Sequence, residues 1–423
     1  MNKRCIFSFI LLFAVFTGCS TDQDRTGNAG TIASLDTLIQ GSIDRGHIPG
    51  AVLRVQRGDS VLHFTAYGFA QKYRYGMEKL EDPEPMQRGH LFDLASLTKV
   101  FATTFGIMLL NDRGQLSLDQ KVSEFLPGFD DGEKQNITIR HLLTHSSGLA
   151  QWFPLYYRAS NKEERLQTIA RMSLVWQVGE GRHYSDLGFM LLGDIIERVS
   201  GLPLEQFLKN EFFRELNLRK TVFNPLEKGL GTIAATSHGN PFEKRMVYDD
   251  EFGYKIDVDP ESWKGWREYT LRGEVNDGNA WYANGGVAGH AGLFSTAEEL
   301  QVMINLLLNK GQTQDQQLIS GSVIDTFLTK DRFGNGLGWA MDKGFIAAEG
   351  TPEKTFGHTG FTGTNVVVIP ERELSVIFLT NRQNIGLQDN GTYFNLRNLR
   401  QHIVTIVMNN TGGAPGELKS VNE

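Results

Sequence analysis

The positions of the strand-like segments constrain the fold of this chain most strongly. Near the start, residues 51–56 and 61–67 flank the turn-forming tetrapeptide RGDS, which is typical of a β-hairpin. Near the end, residues 365–369 and 374–380 flank PERE in the same way. Helical and loop patterns dominate the region between them, from about 115 to 330. This order predicts an α+β fold, in which an antiparallel β-sheet is flanked by N- and C-terminal helices and accompanied by a mostly helical lobe.

Shorter patterns add detail to this fold. Apolar residues at helical spacing predict helices over 31–45, 97–110, 187–199 and 396–408. A further strand is predicted at 336–341, whereas 72–89 is a polar connection without a strand pattern. We expect an active site in the cleft between the sheet and the helical lobe.

Residues 1–18 are organised like a secretory signal peptide. Two basic residues precede the apolar run 6–16, whose 11 residues fall short of the roughly 20 that a bilayer crossing needs. The run ends close to Cys19, and two interpretations are open: an ordinary signal with an incidental cysteine, or a bacterial lipobox cleaved before a lipidated Cys19. We favour the lipobox, although Phe16 stands where leucine is commoner.

A lipid on Cys19 would anchor the chain to a membrane of the bacterial cell envelope, at the periplasmic face or the cell surface. The polar segment 19–30 is then predicted to be a flexible tether. The folded domain should cover 31–408, and 409–423 should be a disordered tail. The other cysteine, Cys5, lies in the signal, so a cysteine nucleophile or a cysteine-based metal site is excluded.

The chain has a formal net charge of −7, which argues against a nucleic-acid partner, because such partners require a basic face. No pattern in the sequence calls for a cofactor or a metal ion. His141 and His145 have the i, i+4 spacing of some zinc sites, but no glutamate follows His141, so a metal is disfavoured.

Ser96 and Lys99 are candidate catalytic residues. On a helix they lie on one face, so the hydroxyl and the amine can meet. A serine at a helix N-terminus is favoured as a nucleophile by the helix dipole, and desolvation of Lys99 would make this amine a base. The alternative is a chance pattern in which Ser96 only caps a helix, and this alternative is the stronger one for the motif taken alone.

Two other motifs follow at a distance. Tyr184, Ser185 and Asp186 precede an amphipathic helix, and either Ser185 or Asp186 could simply cap that helix. A second motif, His358-Thr359-Gly360, stands just before a strand pattern and could simply be a turn.

In this order and spacing, the three motifs resemble those of the penicillin-binding-protein and β-lactamase superfamily of serine hydrolases. The similarity is greatest to the branch of class C β-lactamases, D,D-carboxypeptidases and esterases, and it covers about residues 32–408. Two positions depart from the usual pattern. Asp186 replaces an asparagine, and would either hold Lys99 protonated or cap the helix. His358 replaces a lysine and is mostly neutral near pH 7, which weakens the anchor for a substrate carboxylate.

The resemblance implies acyl transfer in two steps, with Ser96 as nucleophile and with Lys99 and Tyr184 sharing the role of base. The oxyanion hole would consist of the backbone N–H groups of Ser96 and Phe361. Substrate-binding residues would be Asp186, His358, Thr359, Gly360 and His290. For His290, a buried hydrogen-bonded role is the favoured alternative.

The favoured substrate is a cell-wall peptide or muropeptide cleaved at an amide bond, with no cofactor. The alternatives are a small-ester carboxylesterase, a β-lactamase, or a penicillin-binding sensor without turnover. For the aromatic segment 152–157, core packing is the default interpretation, and a lid over the substrate is the alternative.

Overall fold

A six-stranded antiparallel sheet forms the centre of the molecule. The computed structural model describes residues 23–411, with side chains from residue 33 onward. The strands are β1 Gly50–Arg57, β2 Ser60–Arg74, β3 Glu78–Pro85, β4 Phe92–Asp93, β5 Val222–Phe223, β6 Leu293–Ser295, β7 Phe356–Thr359, β8 Asn365–Ile369 and β9 Leu374–Thr380. The large sheet has the order β3-β2-β1-β9-β8-β7, and the short strands form a second sheet in the order β4-β6-β5.

Twelve α-helices surround these sheets within the described residues. They are α1 Gln23–Asp44, α2 Phe105–Asp112, α3 Ile139–Leu143, α4 Lys162–Arg171, α5 Asp186–Ser200, α6 Leu204–Leu208, α7 Pro241–Tyr248, α8 Gly278–Asn284, α9 Ala297–Leu308, α10 Gly321–Phe327, α11 Lys343–Ile346 and α12 Arg397–Asn410. Most of them lie between β4 and β7 in the sequence. The α+β prediction is therefore confirmed.

A strand from the first part of the chain pairs with a strand from its last part in the centre of the large sheet. Strand β1 pairs with β9 in antiparallel register from Ala51 opposite Thr380 to Arg57 opposite Leu374. The two predicted hairpins are thereby joined into one sheet, and the strands β8 and β9 occupy the residues expected from the sequence.

Each face of the sheet is covered by a hydrophobic layer. On one face, Ile39 of α1 and Ile403 of α12 share a core with Phe378 of β9. On the other face, the alternate residue Ile377 belongs to the larger core of the helical lobe. Because successive side chains of a strand point to opposite faces, β9 can be apolar along its whole length and bury every residue.

The structure corrects three predictions made from the sequence. Helix α1 begins at Gln23, so 23–30 is helical where a flexible tether was expected. The polar connection 72–89 contains the end of β2 and all of β3, an edge strand that needs no apolar pattern. Residues 336–341 do not form a strand, because Gly338 has a φ of +80° and only Ala340 makes a bridge, to Gly357.

Several predictions concern the two ends of the chain. Helix α12 extends to Asn410, two residues beyond the predicted end. The predicted signal peptide 1–18, the lipidation residue Cys19 and the tail from 412 lie outside the described residues.

Candidate active site

Ser96 lies in a tight turn between β4 and the helix that follows it. The preceding residue, Ala95, has a φ of +46°, a left-handed conformation that is unfavourable for any residue with a Cβ. The buried Asp93 carboxylate stabilises this turn, since it accepts from Ala95 N–H at 2.9 Å and from Asn276 N–H at 2.6 Å. The strained backbone is thus held in one position, which fixes the direction of Ser96.

The turn continues into a π-helix over Lys99–Thr104 before α2 begins. The sequence predicted one regular helix here. A wide π turn inside a helix is uncommon and often occurs at functional sites.

The ammonium group of Lys99 is fully buried and lies close to three oxygen atoms. Its Nζ lies 2.9 Å from Ser96 Oγ, 3.1 Å from the His290 carbonyl oxygen and 2.7 Å from Asp186 Oδ1. The contacts with Ser96 and His290 are hydrogen bonds, and the contact with Asp186 is an ion pair.

The pKa of Lys99 reflects two opposing effects. Burial lowers this pKa, but the negative charge of Asp186 and the neighbouring Tyr184 raise it, and the net result is a raised pKa. The expectation that desolvation would make Lys99 lose its proton more readily is therefore wrong for the resting site. Of the two roles considered for Asp186, holding Lys99 protonated agrees with this geometry.

The helix that follows is capped by Ser185 and not by Asp186. Ser185 is the N-cap of α5, and its Oγ accepts from Gly188 N–H at 3.3 Å. The same hydroxyl donates to the Ala150 carbonyl oxygen at 2.7 Å, which fixes the helix start to the preceding loop. Asp186 is the first residue of α5, and its carboxylate is thereby free to face Lys99.

Tyr184 completes the group around Ser96. Its phenol is hydrogen-bonded to Lys99 and Ser96, and Lys99 Nζ lies 5.0 Å from the centre of its ring. Burial raises the pKa of Tyr184 more than the charge of Lys99 lowers it, so the phenol is neutral at neutral pH.

His358 stands on β7, beside the tyrosine. Its side chain is buried, and its Nδ1 donates to the Thr359 carbonyl oxygen at 2.8 Å. Burial, assisted by the charge of Lys99, lowers the pKa of His358 to about 3. The imidazole is therefore neutral, and Nε2 is the nitrogen without a proton.

The end of β7 is fixed to the Ser96 turn by close packing. A Cβ on Gly360 would lie 2.4 Å from the Leu94 carbonyl oxygen, so only glycine fits. Thr362 Oγ1 donates to the Asp93 carbonyl oxygen at 2.7 Å, and Thr364 Oγ1 donates to that of Leu94 at 3.1 Å.

The two amides expected to form an oxyanion hole are available. Over residues 23–411, neither Ser96 N–H nor Phe361 N–H donates to another protein group. Phe361 is held through its carbonyl oxygen, which accepts from Arg382 at 2.7 Å.

A cavity of about 430 Å³ opens in front of Ser96. Its walls include six residues that the sequence analysis named as candidates: Ser96, Tyr184, His358, Thr359, Gly360 and Phe361. Three arginines also line it, Arg182, Arg382 and Arg400, and the sequence analysis missed them. Arg182 lies two residues before Tyr184, and this proximity could have identified it as a cavity residue. Nothing in the sequence links Arg382 or Arg400 to Ser96.

His290 does not line this cavity. Its carbonyl oxygen binds Lys99, while its buried ring binds Asp277, with Nε2 2.8 Å from Oδ1. Asp277 also caps α8 by accepting from Ala280 N–H at 2.8 Å. This arrangement agrees with the buried, hydrogen-bonded interpretation of His290 rather than with a substrate contact.

Two other histidines and the aromatic segment 152–157 make local contacts that stabilise the fold. His145 lies beyond the end of α3 with a φ of +55°, and its Nδ1 accepts from Ser185 N–H at 3.0 Å. His141 Nδ1 lies 3.1 Å from Thr138 Oγ1 at the start of α3. In the aromatic segment 152–157, Tyr156 is buried and packs against Trp263, Trp266 and Tyr282, as expected for core packing.

The comparisons with known proteins agree with this fold. The β-lactamase family pattern matches residues 35–401. The chain is 32% identical to an "N-acetylmuramyl-L-alanine amidase" of Bacillus subtilis, with 91% of this chain and 92% of the relative covered. It is 33% identical to a "Putative D-alanyl-D-alanine carboxypeptidase" of Escherichia coli K12, with 88% and 86% covered.

A solved class C β-lactamase has the same fold, with a TM-score of 0.63 at 17% sequence identity over 92% of this chain and 99% of that one. The chain belongs to the β-lactamase family and is a serine hydrolase. None of the helices within residues 23–411 combines the length and apolar character needed to cross a membrane.

Proposed function

We propose that this protein is an exported hydrolase that cleaves an amide bond in a cell-wall peptide or muropeptide through an acyl-enzyme. The observation that carries the proposal is the contact of one buried Lys99 with both Ser96 and Asp186, in front of two free backbone N–H groups. The names of the amidase and carboxypeptidase relatives support the choice of substrate.

Acylation begins with attack of Ser96 Oγ on the substrate carbonyl carbon. Because Lys99 is an ammonium at rest, it accepts a proton only after it has passed one to Asp186. The Ser96 proton then moves to Lys99, directly or through the Tyr184 phenol. The carbonyl oxygen becomes an oxyanion that accepts hydrogen bonds from the N–H groups of Ser96 and Phe361.

Collapse of this intermediate breaks the C–N bond. The leaving amine takes a proton from Tyr184, which is replenished from Lys99, and the acyl group remains on Ser96. In deacylation, water attacks the ester carbonyl and its proton passes to Lys99, directly or through Tyr184. The C–O bond to Ser96 then breaks, Ser96 Oγ takes that proton, and Asp186 returns its proton to Lys99. Over the full cycle the enzyme returns to its starting protonation state, and water supplies the hydrogen atoms that the two products gain.

The experiment is to label the full-length protein with a fluorophosphonate and to assay it on purified muropeptides and nitrophenyl esters. We expect labelling and muropeptide turnover in the wild type, and loss of both in Ser96→Ala, with kcat reduced by about 10³-fold or more. Ser322→Ala, at an exposed serine, is the matched control and should behave like the wild type.

The outcomes separate the alternatives. Hydrolysis of esters without muropeptides would overturn the proposed substrate in favour of an esterase. Labelling without turnover of either would indicate a sensor, and activity that survives in Ser96→Ala would remove the proposed nucleophile.

We also propose that a lipid on Cys19 anchors the enzyme to the bacterial envelope. The position of this cysteine at the end of a signal-like apolar run supports the proposal. Cys19→Ser should move the protein from the membrane fraction to the soluble exported fraction. An unchanged distribution would contradict it.

A further inference from the structure

Three guanidinium groups face the cavity that contains Ser96. Arg182 comes from the loop before Tyr184, Arg382 follows β9, and Arg400 lies on α12. Three separate parts of the chain therefore bring positive charge to one cavity of about 430 Å³.

Backbone carbonyl groups use only part of the hydrogen-bonding capacity of these side chains. Arg382 donates to the carbonyl oxygens of Phe394 and Phe361, both at 2.7 Å, and Arg400 donates to that of Thr364 at 3.3 Å. Within residues 23–411, the buried Nε of each arginine has no acceptor, and none of the three guanidiniums forms an ion pair with a carboxylate. A purely structural role would explain the bonds to carbonyls but not the uncompensated charge.

The three groups are charged at neutral pH. Burial lowers the pKa of Arg382 to about 10, and burial together with the charge of Arg382 lowers the pKa of Arg400 to about 9. Among the acidic residues described, only Asp342 lines the cavity, where its Oδ1 accepts from Gly344 N–H at 2.9 Å. His358 is neutral, so the side chains that line the cavity have an excess of two positive charges. Asp331, which does not line the cavity, partly offsets the charge of Arg182.

An anion with two negative charges matches this arrangement. Unpaired buried charges are costly, and a guanidinium binds a carboxylate through two parallel hydrogen bonds. One carboxylate would leave a positive charge uncompensated, whereas two would neutralise the cavity. A neutral His358 cannot bind a substrate carboxylate as a cation would. The arginines supply the positive charge instead.

We infer that Arg182, Arg382 and Arg400 form a subsite for two carboxylates, and that the preferred substrate is an acidic peptide with both carboxylates on one residue, as in a glutamate. This inference rests on the proposed function for the identity of the substrate as a peptide. Binding at the subsite can nevertheless be measured without catalysis.

The experiment is calorimetry on the full-length Ser96→Ala variant with two dipeptides, L-Ala-D-Glu and L-Ala-D-isoglutamine. They differ in one group, because amidation removes one of the two carboxylates. We expect the diacid to bind at least about tenfold more tightly, since amidation removes charge-assisted hydrogen bonds to the arginines, and the difference to shrink as salt is added. Equal affinities, or inorganic phosphate binding as tightly as the diacid, would overturn the inference.

Variants assign the preference to the arginines. Arg400→Gln in the Ser96→Ala background should reduce the affinity ratio to about threefold or less, and Arg400→Lys should retain part of it, because lysine keeps the charge but not the planar pair of donors. Arg382→Gln provides a second case if Arg400→Gln unfolds, as judged by its melting temperature. Arg219→Gln, at an exposed arginine outside the cavity, should leave the ratio unchanged.

The two proposals fail in different ways. A wild type that turns over no muropeptide or ester would overturn the proposed function, while the dipeptide affinities would still decide the subsite. A ratio that persists in both Arg400→Gln and Arg382→Gln would overturn the subsite and leave the hydrolase proposal intact.

Discussion

Lys99 Nζ lies 2.7 Å from Asp186 Oδ1, and this ion pair determines the protonation state of the site at rest. The lysine is fully buried, while the aspartate side chain is 18% exposed. The negative charge of Asp186 opposes the effect of burial on the amine, and the net result is a raised pKa of Lys99. The aspartate at this position thus gives the resting site a different electrostatic state from one with an asparagine.

Replacing Asp186 should change the pH dependence of catalysis. In Asp186→Asn the effect of burial is no longer opposed by a carboxylate, so the pKa of Lys99 should fall. We expect the acid limb of the kcat/KM profile to move to higher pH, because the variant lacks the carboxylate that accepts the Lys99 proton and is active only when Lys99 is neutral. Glu197→Gln, which removes the ion pair with Lys162 further along α5, is the matched control. An acid limb that stays in place would contradict control of Lys99 by Asp186.

His358 should make the folded state sensitive to acid. Its pKa is about 3 when folded and 6.5 when unfolded, so between these values the unfolded chain binds one more proton. Stability should therefore fall as the pH falls through this range, by up to about 1.4 kcal/mol per pH unit.

His358→Asn should remove this part of the pH dependence. The measurement is the free energy of unfolding in urea at pH 7 and pH 5, compared between the variant and the wild type. His402→Asn, at an exposed histidine, should keep the wild-type difference. An equal difference in His358→Asn would show that the imidazole does not titrate as inferred.

Glu243 should act in the opposite sense. This buried residue of α7 accepts from Gly278 N–H at 2.8 Å, and burial together with the charge of Asp277 raises its pKa to about 8. Between pH 4.5 and 8 the folded state holds the extra proton, so stability should fall as the pH rises through this range.

Glu243→Gln should remove that loss, because an amide is neutral at every pH. Relative to the wild type, the variant should gain stability from pH 5 to pH 8, at most about 1.4 kcal/mol per pH unit. Urea unfolding at both pH values measures the gain, and Glu251→Gln, at an exposed position, serves as the control. A constant difference between Glu243→Gln and the wild type would refute the raised pKa.

Gly360 should be essential for the geometry of the site. A Cβ there would lie 2.1 Å from Thr364 Oγ1 and 2.4 Å from the Leu94 carbonyl oxygen, so Gly360→Ala must push the end of β7 away from the Ser96 turn. A displacement of about 1 Å can cost about 100-fold in rate, and we expect kcat/KM to fall by that order. Gly231→Ala, where a Cβ meets nothing within 4 Å, should have no effect. Wild-type activity in Gly360→Ala would mean that the contact relaxes without moving the strand.

Local patterns in the sequence were sufficient for the sheet hairpins and the start of α5. The strands β8 and β9 were predicted residue for residue, because continuous apolar runs flanking a turn leave few alternatives. The motif residues Ser96, Lys99 and Tyr184 were singled out through the resemblance of their motifs to those of the penicillin-binding-protein and β-lactamase superfamily, and folding brings the three together. Edge strand β3 and the π-helix were missed, because neither has an apolar period of its own.

The tertiary structure alone decided the electrostatics of the site. Spacing along a helix brings Lys99 to Ser96, but only folding places Asp186 of α5 against the same amine. This contact opposes the effect of burial, and the net shift of the lysine pKa is upward. Arg382, just after β9, and Arg400 of α12 likewise line the cavity although they lie far along the chain from Ser96. A pKa or a binding subsite depends on which charges meet across the fold, and distance along the sequence does not determine that.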